Sequence, residues 1–130
     1  MEIQEHIKYW IDSADEDLIS AESNLHTKRY NWCLFIGHLV LEKALKALYV
    51  QVNNNSVPPK THNLLKLAEL SNINLSTEMS KLFAEINRFQ IEARYVEYKA
   101  ELYKIADEKF TVYYFEKIRE SYLWLKSLIK

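Results

Sequence analysis

The stretch that decides the fold is Tyr30–Val52, which reads YNWCLFIGHLVLEKALKALYVQV. It is dense in leucine, alanine, phenylalanine and valine, and its charges stand mainly at Glu42, Lys43 and Lys46. A helix that is apolar on most of its sides lies in the interior of a domain. We therefore expect this segment to form a central helix, the most buried of the fold.

The segment before it carries a single apolar stripe. Its apolar residues recur at steps of three and four, the spacing that lays one stripe along a helix. They are Ile3, Ile7, Trp10, Ile11, Ala14, Leu18, Ala21 and Leu25. The pattern predicts a first helix from about Glu2 to about His26, separated from the central helix by the short polar stretch 27–29.

A loop and a short helix are predicted after the central segment. The run Asn53–Pro59 contains three asparagines and a proline pair, neither of which continues a helix. Thr61 can cap a short helix over Asn63–Leu70, which the polar run 71–74 then closes.

Two longer helices are predicted in the C-terminal half. Ser76 is a good cap for a helix over Thr77–Ile91, and Asp107 can start a final helix that extends to Ile129. The intervening Ala93–Ala106 has an alternating pattern that strands tolerate, but an isolated strand would have nothing to pair with. We expect a bent or irregular connection there.

The composition favours few, long elements. Glycine occurs once and proline twice, whereas a sandwich or barrel of many short strands needs turn residues at short intervals. We predict an all-α fold, an antiparallel up-and-down bundle of four to five helices, in a single domain that spans residues 1–130.

Charge and cysteine content restrict the environment. The formal net charge is −1, so no overall field would draw the protein onto nucleic acid or an anionic membrane. The one cysteine, Cys33, cannot form an intrachain disulfide, which favours a reducing compartment. The sequence shows neither a secretory signal nor an uninterrupted apolar span. We expect a cytoplasmic protein that uses no membrane and no cofactor.

Three polar residues of the central segment share one helix face. His38, Glu42 and Lys46 follow one another at intervals of four, and a His and a Glu at that spacing can begin a metal site. The nearest further ligand candidate is His62, across the proline loop. We favour a buried hydrogen-bond network over a metal site, because buried polar groups are normally paired with one another.

Other catalytic arrangements find no support. Cys33 and His38 are five residues apart, which places the thiol and the imidazole on different faces of a helix. A single glycine excludes a glycine-rich loop that cradles phosphates. The neighbouring carboxylates at 15–17 and 107–108 are typical of a solvated surface. We assign no catalytic residue and no metal.

The most unusual local chemistry lies between residues 92 and 103. Its notable side chains are Arg94, Tyr95, Tyr98, Lys99 and Tyr103. Tyrosine and arginine often anchor interfaces, and both can stack on a base, so this segment can hold a partner subunit or a nucleotide. In the alternative interpretation, Arg94 forms an internal salt bridge to Glu42 or Glu97 while Tyr95 packs in the core.

Three short motifs follow one another along the chain. They are the stretch from Glu42 to Lys46, the proline loop that ends in Thr61 and His62, and the triplet Ala93, Arg94, Tyr95. Together with the opening helix around Trp10 they cover nearly the whole chain, and in this order they resemble the HEPN family of small helical domains.

The resemblance implies an up-and-down bundle, usually a dimer, often encoded beside a small nucleotidyltransferase as one half of a toxin and antitoxin pair. Many members are metal-independent ribonucleases. Their motif is an arginine followed, after four to six residues, by a histidine: the arginine holds phosphate and the histidine handles a proton.

That ribonuclease motif is absent from this sequence. Arg94 matches the family's arginine, but the positions where the histidine would fall hold Lys99, Ala100 and Glu101. No other arginine has a histidine at that distance. A lysine that is protonated at neutral pH can hold phosphate but cannot act as a base.

Our first hypothesis is a non-catalytic, homodimeric binding module that accepts a nucleotide, RNA or a nucleotidyltransferase. The predicted binding residues are Arg94, Tyr95, Tyr98, Lys99, Glu42 and Lys46. The alternative is a metal-independent ribonuclease toxin with a degenerate motif. A third possibility is a purely structural partner that has no ligand.

Overall fold

The fold consists of six helices. A computed structural model describes the backbone of residues 1–130 and every side chain except those of Ala93, Arg94 and residues 96–100. The helices are α1 (Ile3–His26), α2 (Tyr30–Val52), α3 (Leu64–Leu70), α4 (Thr77–Arg94), α5 (Val96–Ile105) and α6 (Glu108–Ser127). The described backbone contains no strand, so the all-α prediction is confirmed.

Helix α2 lies at the centre, as its apolar sequence predicts. It contacts all five other helices, and its apolar residues Leu34, Leu41 and Leu45 are fully buried. Helix α6 crosses it closely at Gly37, where an added Cβ would lie 2.7 Å from Cδ1 of Ile118. A glycine is therefore required at this crossing unless Ile118 moves.

Helix α1 runs antiparallel to α2. Ala21 packs in one cluster with Cys33, near the start of α2, whereas Ile7 packs in another with Val50, near its end. The short connection between His26 and Tyr30 leaves no other arrangement for two helices of this length.

Helix α6 also runs antiparallel to α1, as its ion pairs show. Arg119 lies 2.8 Å from Glu22, and Lys126 lies 3.2 Å from Asp15. Residue numbers therefore rise along α6 in the direction in which they fall along α1. These alternating directions agree with an up-and-down bundle.

Helix α3 begins one residue later than predicted, and its cap differs. The Oδ1 atom of Asn63 accepts hydrogen bonds from the backbone amides of Leu65 at 3.0 Å and Lys66 at 3.3 Å. Thr61 uses its hydroxyl instead to accept from the amide of Asn63. The prediction of Thr61 as the cap was wrong, because the asparagine side chain reaches the free amides of the first turn from a position closer to the helix.

Helix α5 replaces the irregular connection that the sequence predicts. The chain leaves helical geometry only at Tyr95, which has φ −104° and ψ 130°, and then resumes as α5. Leu102 and Ala106, four residues apart, are both buried in the main core. Burial of these two residues stabilises a helix where the local pattern is ambiguous, and the helix count exceeds the prediction by one.

The other two predicted caps are confirmed. Oγ of Ser76 accepts from the amide of Met79 at 3.1 Å, and Oδ1 of Asp107 accepts from the amide of Phe110 at 2.8 Å. Over the residues that were described, none of the helices combines the length and apolar content that crossing a membrane demands.

Candidate functional site

A buried carboxylate organises the polar face of α2. The side chain of Glu42 is only 5% exposed. Its Oε2 accepts a hydrogen bond from Nζ of Lys46 at 3.1 Å, and its Oε1 accepts from Nδ1 of His62 at 2.9 Å. The hydrogen-bond network predicted for this face is therefore present, and it reaches across to the loop before α3.

His38 is buried in the neutral form beneath this network. Its Nε2 donates to the backbone carbonyl of His62 at 2.8 Å. Burial lowers the pKa of His38 to about 4, although the Glu42 carboxylate and the His62 carbonyl oppose that shift. Its Nδ1 lies 3.8 Å from Oε1 of Glu42, too far for a hydrogen bond between these two atoms.

Lys46 is held from two sides. Its ammonium group, besides its bond to Glu42, lies 5.4 Å from the centroid of the Trp10 ring on α1, within the range of a cation–π contact. Lys46 is 8% exposed, so its charge is directed into the protein. The positive Lys46 and the negative Glu42 balance each other.

His62 is the part of this cluster that reaches solvent. Its backbone is fixed by His38 and its ring by Glu42, yet its side chain remains 43% exposed. His62 is a candidate metal ligand and ends the proline-loop motif, but it is not among the residues that the sequence predicts to bind a ligand. Its contact with Glu42 depends on the path of the loop between α2 and α3, which the spacing of residues along the chain does not indicate.

The family model of the HEPN domain matches residues 7–127, nearly the whole chain. The chain belongs to the HEPN domain family. Its fold is similar to that of TT1696 from Thermus thermophilus, with a TM-score of 0.78 and 14% sequence identity over 95% of this chain and 98% of the other. No curated protein matches the sequence.

The predicted binding residues of this HEPN domain divide into three groups. Glu42 and Lys46 are buried and paired with each other. Tyr95 is 50% exposed, so the alternative that it packs in the core was wrong. Arg94, Tyr98 and Lys99 lie outside the described side chains, and so does the predicted salt bridge of Arg94.

Neither a metal site nor an activated thiol is visible in the described part of the HEPN domain. No cluster of three or more His, Cys, Asp or Glu side chains there is arranged to hold a metal ion. Cys33 is buried, and burial raises the pKa of its thiol to about 12, so the thiol stays protonated.

A groove between α4 and α6 lies away from the polar cluster. It has a volume of about 470 Å³, and its walls include Met79, Leu82 and Tyr114. Charged residues of the groove already form ion pairs within the chain, because Glu85 pairs with Arg88 and Lys117 pairs with Glu120. We place the candidate site at His62 rather than in this groove. His62 reaches solvent and is bonded to the buried ion pair of Glu42 and Lys46, whereas the groove has no such connection.

Proposed function

We propose that this HEPN domain is a non-catalytic binding module, homodimeric, that accepts a nucleotide, RNA or a small nucleotidyltransferase. The proposed site comprises Arg94, Tyr95, Tyr98 and Lys99, which contact the ligand, together with the buried Glu42 and Lys46. One observation carries the proposal. The buried pair of Glu42 and Lys46 has no net charge, and Glu42 fixes the half-exposed ring of His62 at the surface. Glu42 and Lys46 then act as positioning residues, while the segment around Arg94 supplies contacts to the ligand.

The state of His38 supports binding over cleavage. Phosphodiester cleavage by side chains alone requires groups that take and return protons. His38 is neutral, fully buried and bonded to a carbonyl, so it cannot shuttle a proton to solvent. No arginine is followed by a histidine at the ribonuclease spacing.

Exposed apolar residues at the end of α4 and at the two ends of α5 support a homodimer. They are Ile91 (44% exposed), Tyr95 (50%), Tyr103 (73%) and Ile105 (42%). Large exposed aromatic and aliphatic side chains are typical of a protein interface.

Fluorescence anisotropy tests the proposed ligand. We expect labelled single-stranded RNA to bind, and Arg94→Ala to weaken the Kd at least tenfold, because an arginine contact to phosphate is charge-assisted. Arg119→Ala is the matched control, since Arg119 lies on α6 and pairs with Glu22. Equal effects of the two substitutions would contradict the proposed site.

The partner is tested separately. Co-expression with a small nucleotidyltransferase, followed by size-exclusion chromatography, is expected to give a complex that Tyr95→Ala weakens. Failure of both this test and the anisotropy test would leave the purely structural alternative.

A specific observation favours the ribonuclease alternative as the second candidate. His62 donates from Nδ1 to a buried carboxylate, the same pairing that orients a catalytic histidine in hydrolases. A toxin that has lost the family's histidine can recruit an imidazole from the loop before α3. RNA cleavage that depends on both Arg94 and His62 would favour this alternative.

A further inference from the structure

The tautomer of His62 is set by its neighbour. Because a carboxylate oxygen only accepts hydrogen bonds, the short contact to Oε1 of Glu42 requires a proton on Nδ1 of His62. In the neutral ring the other nitrogen, Nε2, then carries a lone pair and can only accept. The His62 side chain as a whole is 43% exposed.

Glu42 has two hydrogen-bond donors in this cluster. Lys46 donates to one of its carboxylate oxygens and His62 to the other. No described side chain donates a hydrogen bond to Nε2 of His62. In the neutral ring, Nε2 is therefore an acceptor without a donor among the described side chains.

This acceptor has a fixed position. His38 holds the carbonyl of His62 at 2.8 Å, and the next residues are fixed in turn, because the amide of Leu64 donates to Oδ1 of Asn87 at 3.0 Å. The ring is thus held at its backbone, at its Nδ1 and through the start of α3. A fixed acceptor loses little entropy when it binds a ligand.

An acceptor of this kind discriminates between ligand groups. A phosphate oxygen carries no proton at neutral pH, so it cannot pair with the Nε2 lone pair. A sugar hydroxyl is a donor and can pair with it. Among nucleotides, the 2′-hydroxyl is the group that separates the ribose form from the deoxyribose form.

We infer that His62, positioned by Glu42, is a specificity subsite that accepts a hydrogen bond from the 2′-hydroxyl of a bound ribonucleotide. The inference rests on the proposed function as a nucleotide-binding or RNA-binding module. In this proposal, His62 in the loop before α3 recognises the sugar, and the segment around Arg94 binds the phosphate.

Matched ribose and deoxyribose probes test the subsite. Anisotropy at pH 8, where a histidine of ordinary pKa is neutral, compares a labelled single-stranded RNA with the DNA of the same sequence. A ribonucleoside triphosphate and its 2′-deoxy counterpart, added as competitors, separate a mononucleotide site from an RNA site. The wild type is expected to prefer the ribose probe by about tenfold, the effect of roughly one hydrogen bond.

Variants assign that preference to one residue. His62→Ala is expected to reduce the ratio of the two affinities to about one, whereas His26→Ala, at an exposed histidine of α1, is expected to keep it. Unchanged circular dichroism confirms that His62→Ala remains folded. If that variant unfolds, equal wild-type affinities for the ribose and deoxyribose probes would still overturn the inference.

Three results would overturn the inference. Equal wild-type affinities for ribose and deoxyribose probes would remove the subsite while leaving the proposed binding function in place. A ribose preference that persists in folded His62→Ala would assign the sugar contact to another residue. Absence of binding to every probe would overturn the subsite together with the nucleotide-binding function.

Discussion

His38 makes the stability of the bundle depend on pH. Its folded pKa is about 4, below the ordinary value of 6.5. Because the unfolded chain takes up a proton more readily, the free energy of unfolding falls as pH falls through this window. From pH 7.5 to pH 5 the loss from this one residue is about 2 kcal/mol.

Substitution of His38 by glutamine tests this dependence. His38→Gln removes the titrating ring but keeps an amide that can donate to the carbonyl of His62. Urea unfolding between pH 7.5 and pH 5 is expected to show a flatter decline than in the wild type, by about 2 kcal/mol. His26→Gln, at an exposed position, is expected to follow the wild-type curve. Parallel curves for His38→Gln and the wild type would refute a neutral, buried His38.

The sequence could predict part of the site, namely the residues that share one face of α2. Intervals of four residues place His38, Glu42 and Lys46 on one face of any helix, so their network follows from local geometry. The contact between Glu42 and His62 does not follow, because it depends on the path of the loop between α2 and α3. Spacing along the chain carries no information on that path.

At the scale of the element, the start of α3 depends on Asn63. Its side chain accepts from two backbone amides and also from Nδ2 of Asn87 at 3.1 Å. Asn63→Ala is expected to lower the free energy of unfolding by about 1 to 2 kcal/mol. Hydrogen exchange of the amides of Leu65 and Lys66 is expected to accelerate. Thr61→Ala, the matched control, is expected to change stability by less than about 0.5 kcal/mol.

If Thr61→Ala lowered the free energy of unfolding more than Asn63→Ala, the assignment of Asn63 as the cap of α3 would be wrong. That result would restore Thr61 as the residue on which the first turn of α3 depends.

The elements that sequence predicted best are those with a complete local pattern. The stripe from Ile3 to Leu25 and the apolar density from Tyr30 to Val52 fix the ends of α1 and α2 closely. Helix α5 lacks such a pattern, since its stability comes from burial of Leu102 and Ala106 against other helices. Long-range packing of this kind overrides a weak local preference.

For the whole molecule, we expect the dimer face along α5, with Tyr103 near its C-terminal end. Tyr103→Glu places a charge on a side chain that is 73% exposed, so the monomer keeps its fold while an interface there loses contact. Sedimentation equilibrium is expected to show a dimer for the wild type and a monomer for Tyr103→Glu. Leu123→Glu, on α6 and 59% exposed, is the control and is expected to stay dimeric.

Two results would contradict this placement. A monomeric wild type would exclude the proposed homodimer. Dissociation by Leu123→Glu, with Tyr103→Glu unaffected, would move the interface to α6.

Digestion of labelled RNA tests the proposal that this HEPN domain binds RNA without cleaving it. The wild type, at micromolar concentration and over several hours, is expected to leave the RNA as intact as Arg94→Ala does, while still shifting its anisotropy. Accumulation of cleavage products with the wild type, abolished by Arg94→Ala and by His62→Ala, would contradict the claim and identify a ribonuclease.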